Sequence, residues 1–151
     1  MATDTNDQAR EQLLKALGVA TLSYDTLQII ILAIVLSAVN VNKIKVQLQD
    51  QLNDTNYAEC LPDTSAIPLI TSIMIVYGTY IFAQVGQQTL QDQKQISTDA
   101  NDPALTAASD GYLASVFVFI AALIRLNNVI NAPKGDTAST EVADIEDSTI
   151  I

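Results

Sequence analysis

Three apolar stretches, at about 26–42, 66–86 and 111–131, divide the 151-residue chain, with polar spacers of similar length between them. The first contains eight consecutive apolar residues, Ile29 to Leu36, more than two turns of a helix and so covering its whole circumference. An amphipathic surface helix shows a polar residue every three or four positions instead. The second stretch lies in a run from Asp63 to Asp92 that has no charge between its ends, and the third, Tyr112 to Ile124, is broken only by Ser115. No face of these segments is made for water, which leaves lipid tails or a protein interior as their solvent.

The polar flanks continue the helices. Asn101-Asp102-Pro103 reads as a helix start, with Asp102 capping free amides and Pro103 at the first helical position, where its missing N–H costs nothing. The pattern then predicts a helix over about 103–131, stopping before Pro133. In Gln84 to Ile96 no turn signal appears before Ser97, so the second helix extends past its apolar part. Ile44, Val46 and Leu48 alternate as a strand would, while Ile44, Leu48 and Leu52 keep helical spacing. Helix is favoured there, because no second strand exists to pair with. Gln8 to Leu22 sets Leu13, Leu17 and Ala20 apart from Arg10, Glu11 and Lys15, a short amphipathic helix that lies on a membrane surface or caps a bundle. Asp25 then stands where a carboxylate caps the next helix.

The expected fold is all-α, within one helical domain over 1–132. Three long antiparallel helices with apolar central segments are joined by the short N-terminal amphipathic helix. The remainder, 133–151, is an acidic tail without periodicity, of a composition that stays flexible.

Charge sharpens the picture. Seven Lys and Arg stand against seventeen Asp and Glu, for a net charge of −10. The cations are scattered, whereas phosphate neutralisation needs them clustered, so nucleic acid is not an expected partner. The opening MATDTNDQAR is polar and acidic where a secretory signal carries a basic patch running into an apolar stretch, so no cleaved signal is expected.

Candidate chemistry is sparse. The chain has no histidine, the usual general base and commonest metal ligand, and one cysteine, Cys60, which cannot form an internal disulfide. No zinc arrangement can be drawn from these residues. Gly18, Gly78, Gly86, Gly111 and Gly135 are too dispersed for a phosphate loop. Ser37 and Ser115 sit in apolar helices, where a hydroxyl bonds back to a carbonyl. No catalytic, cofactor-binding or metal-ligating residue is expected, and the chain is not expected to be an enzyme. Asn53-Asp54-Thr55 fits a glycosylation acceptor, which matters only in a secretory setting.

Two features concern packing. Ser72, Thr79, Ala83 and Gly86 follow a heptad-like spacing, a stripe of small residues where another backbone comes close. Arg125, between AALI and LNNVIN, is a candidate buried charge that demands a carboxylate partner, or else a side chain reaching toward an interface.

These readings point to a non-enzymatic membrane protein, with the lipid bilayer or further copies of itself as partner, forming a homo-oligomer. The alternative is a self-assembling subunit of a filament, shell or coat, its apolar helices buried between copies. A weaker alternative is a pore or holin-like protein lined by Thr71, Thr79, Gln84 and Asn127. In a membrane, Arg10, Lys15 and Lys94 fall on one side against Lys43, Lys45, Lys134 and the nearby Arg125 on the other. That near-tie places the second side, with the C-terminus, in the cytoplasm.

Overall fold

The structure, a computed structural model, describes residues 2–97 and 102–132, with side chains described from Arg10 onward. It is all-helical, with three long helices and, among the described residues, no strand. Helix α1 spans Ala2–Asn53, α2 Ile67–Ile96 and α3 Pro103–Asn131, and a 3₁₀ turn, Tyr57–Cys60, lies between α1 and α2. At 1.5 Å per residue these helices are about 78, 45 and 44 Å long. The acidic segment 133–151 lies outside the described residues.

Helix α1 corrects one expectation. The segment from Gln8 to Leu22 is not a separate amphipathic helix, and Asp25 does not start a new one; both lie within a single uninterrupted helix. No proline occurs before Pro62, and Gly18 is the one glycine in this span, set in open space. One glycine costs about 1 kcal/mol in a helix interior, too little to break a helix this long. The capping signal at Asp25 is overridden because the segments on both sides of it propagate helix. Thr26 beside it donates its hydroxyl to the Leu22 carbonyl one turn back, at 2.7 Å.

The C-terminus of α1 is built by local chemistry. Asp54 takes a left-handed backbone conformation, φ 52°, and the Thr55 amide donates to the Asp50 carbonyl at 3.0 Å. This is the bond that closes a left-handed helix cap, a position usually held by glycine. The Asp50 side chain then accepts from the Thr55 hydroxyl and from the Ala58 amide at 2.6 Å, tying the 3₁₀ turn to the helix end. Before α2, Asp63 accepts from the amide and hydroxyl of Ser65. Pro68 sits in the first turn, where its missing N–H is harmless. Between α2 and α3, the Ser97 hydroxyl donates to Asp102, whose other oxygen accepts from the Ala104 amide at 2.9 Å. Asp102 and Pro103 thus form the helix start that the sequence predicts.

Helix α2 is central: it packs on both α1 and α3, which among the described residues do not pack on each other. Thr26 and Ile30 of α1 meet Gly78, while Tyr112 and Ser115 of α3 meet Gly86. Toward one end Lys15 pairs with Asp92; toward the other Lys43 donates to the Pro62 carbonyl at 2.8 Å. Residue numbers therefore rise along α1 as their contacts fall along α2. The same holds between α2 and α3, where Tyr80 meets Phe119 with ring centroids 5.7 Å apart.

Candidate functional site

The feature that most sets this molecule apart is its outer surface. Among the described residues the buried apolar side chains are Ala33, Ile81 and Ala122, while Thr26, Thr71, Ser72 and Thr79 are buried beside them. Large apolar side chains lie outside instead: Ile34 is 59% exposed, Ile73 51% and Phe117 68%, one from each helix. Water-soluble domains show the reverse, with Ile, Leu, Val and Phe inside and small polar groups at the surface. All three helices are long and apolar enough to cross a bilayer.

The interior follows from small residues on α2 that let its neighbours come close. A Cβ on Gly78 would stand 2.8 Å from the Ile30 side chain, and one on Gly86 would stand 3.3 Å from the Tyr112 Cα. The first glycine makes room for the Ile30 side chain of α1, and the second admits the α3 backbone at Tyr112. The buried hydroxyls are satisfied without water: Thr71 donates to the Ile67 carbonyl at 2.9 Å and Thr79 to the Ile75 carbonyl at 2.8 Å. Such bonds suit a helix in a medium that offers no hydrogen bonds. Ser72 differs, since its hydroxyl is buried with no partner among the described residues. Its own i−4 carbonyl, Pro68, already receives Thr71 at 3.2 Å.

The residues singled out from the sequence are distributed accordingly. Ser72 and Thr79 are buried, Ala83 and Gly86 half-buried, and Gly86 lies against α3. Arg125 is exposed on α3. Of the pore-lining candidates, Thr71 and Thr79 bond within α2, Gln84 donates to the Tyr80 hydroxyl at 2.6 Å, and Asn127 accepts from Asn131. Each has its polar group engaged locally. Gly78, Thr26 and Ala33, which carry the α1–α2 contact, escape a search for one stripe. A central helix needs two, and the second is visible as Thr71 and Gly78, seven residues apart.

Charge is concentrated at the ends of a band that holds two charged residues, Asp25 and Arg125. Between Lys15 and Lys43 α1 carries one charged residue, Asp25; between Asp63 and Asp92 α2 carries none; between Asp110 and Lys134 the one charge is Arg125. From Asp63 to Asp92 the band is about 42 Å deep at helical rise, against about 30 Å for the hydrocarbon core of a bilayer. The ion pair Lys15–Asp92, 2.8 Å and well exposed, sits at one edge.

At the opposite edge the α1 end, the 3₁₀ turn and Asp63 enclose an open concavity of about 570 Å³. Hydrogen bonds from the Thr55 hydroxyl and from the Ala58 and Tyr57 amides hold the Asp50 carboxyl below its ordinary 3.8. The Ser65 amide and hydroxyl, helped by the Lys43 charge, do the same for Asp63. Asp102 is lowered by the Ser97 hydroxyl and the Ala104 and Leu105 amides. These carboxylates are engaged in shaping turns. Among the described residues no three His, Cys, Asp or Glu side chains are grouped to hold a metal, and Cys60 is exposed as a free thiol.

Against known proteins, the chain matches no family model, no curated sequence and no solved structure.

Proposed function

We propose that the protein is a non-enzymatic membrane component whose three antiparallel helices cross the bilayer and whose role is assembly, with itself or with a partner. One observation carries this reading: large apolar side chains cover the outside of every helix while threonine, serine and glycine occupy the inside. In water that surface is unsupported; in lipid it needs no further cover, and the small interior residues allow the close packing that membrane helices use. The contacts from Lys15–Asp92 to Lys43–Pro62, and from Gly86–Tyr112 to Tyr80–Phe119, support the antiparallel arrangement. Tyr24 and Tyr57, both exposed, stand beyond the ends of apolar stretches, where tyrosines favour the headgroup region. The excess of one cation on the C-terminal side supports a cytoplasmic C-terminus.

A second reading, a subunit of a filament, shell or coat, draws on α1. This helix is about 78 Å long, well beyond a bilayer of about 40–45 Å with its headgroups, and Leu13, Leu14 and Leu17 are exposed close to the Lys15–Asp92 edge. Those leucines then pack between copies.

Fractionation separates the two. Retention in carbonate-washed membranes and release only by detergent is the expected result; large detergent-free particles support the second reading and overturn the first.

A further inference from the structure

Two charges interrupt the uncharged band, and the fold holds them on different helices. Asp25 lies ten residues beyond Lys15 along α1, about 15 Å into the band from the Lys15–Asp92 edge. Phe119 meets Tyr80, and Arg125 is six residues further along α3, level with about residue 74 of α2 and so about 27 Å from the same edge. A hydrocarbon core of about 30 Å, placed anywhere inside a band of about 42 Å, encloses both positions. Both side chains are exposed on the single chain, and neither makes an ion pair or hydrogen bond among the described residues. With α2 between their helices, the chain does not neutralise them itself.

Resting on the membrane reading above, we infer that Asp25 of one copy pairs with Arg125 of a second copy inside the bilayer, joining α1 of one chain to α3 of the next. Charge complementarity selects the occupant: the chain carries one carboxylate and one guanidinium in its apolar band, each lacking what the other offers. An ionised side chain in the hydrocarbon region demands such a partner. The two levels differ by about 12 Å. The long arginine arm leans toward the N-terminal end of α3, as helical side chains do, which is the direction of the Asp25 level. A helix tilt of about 20°, the average for membrane helices, narrows the rest when it brings the two levels together. The contact is heterologous, because different faces meet, so its repetition closes a ring when the rotation between copies permits.

The test uses the full chain in bilayer nanodiscs and in mild detergent, with copy number read by sedimentation and helix content by circular dichroism. The wild type is expected to hold several copies. Asp25→Asn and Arg125→Gln are each expected to be monomeric with unchanged helix content. Mixed in equal amounts, these two variants retain one complementary pair and form dimers, and the exchanged double variant Asp25→Arg, Arg125→Asp regains the wild-type copy number. The mixture and the double variant keep the question answerable even where a single variant folds poorly. A monomeric wild type, single variants that keep the wild-type copy number, or a mixture that stays monomeric overturns the pairing; the last two mean that each charge reaches the headgroups alone or meets a different protein. Carbonate washing of the same membranes separates the two levels of failure. A monomeric wild type retained in membranes defeats the pairing only, whereas wild type in the soluble fraction defeats the membrane reading with it.

Discussion

Gly78 and Ser72 hold the two sharpest single-residue tests of how α2 meets its neighbours. Replacing Gly78 by valine drives new carbon atoms into the Ile30 side chain, which already stands 2.8 Å from where a Cβ would be. The expected cost is about 1–3 kcal/mol of overpacking, read as a lower unfolding temperature in micelles. Adding Ile30→Ala recovers part of it, and strict additivity of the two changes would contradict the contact. Ser72 runs the other way: its hydroxyl is buried and has no partner among the described residues, so Ser72→Ala removes an unsatisfied group. Stability is expected to stay level or rise by about 1 kcal/mol, and a clear loss would show that the hydroxyl has a partner in the assembled protein. Gly86 is legible from sequence because it falls in a heptad-like row with Ser72 and Thr79. Gly78 is hidden because it stands one residue from that row, on the face turned to α1.

At the scale of elements, the ends of the helices are governed by four aspartates. Asp54 occupies a left-handed position at φ 52° that glycine adopts without strain. Asp54→Gly is therefore expected to stabilise the end of α1 by about 1 kcal/mol, and a destabilised variant would mean that the Asp54 side chain contributes more than its backbone costs. Asp50, Asp63 and Asp102 all have carboxyls held below their ordinary 3.8 by hydrogen bonds formed in the folded chain. Their stabilisation is fully present above the unfolded value, about 3.9, and is lost as pH falls through the lower folded values. A titration from pH 5 to pH 2 is expected to show falling stability in the wild type and a shallower fall in Asp50→Asn, which starts lower and has one less group to protonate. Equal slopes would remove Asp50 from this account. The start of α3 and the extent of α2 are readable in advance because Asp102-Pro103 and Ser97 are local signals. The continuity of α1 is not readable at Asp25, where a residue that favours a helix start sits inside a helix long enough to ignore it.

For the whole molecule, what the sequence conveys most plainly is the all-round apolar character of three segments, and the structure keeps it: little of that surface is covered by the chain's own packing. The depth of Asp25 and Arg125 is not visible in sequence, since it depends on which residues of neighbouring helices share a level. The membrane reading puts lipid against the outer face of the apolar band. Its most direct test is a single nitroxide at position 117, carried by Phe117→Cys in a Cys60→Ser background, reconstituted in phospholipid vesicles. The label is expected to collide readily with dissolved oxygen and hardly at all with a water-soluble nickel chelate. Ready collision with the chelate, or exclusion of both reagents by a neighbouring protein surface, would contradict it.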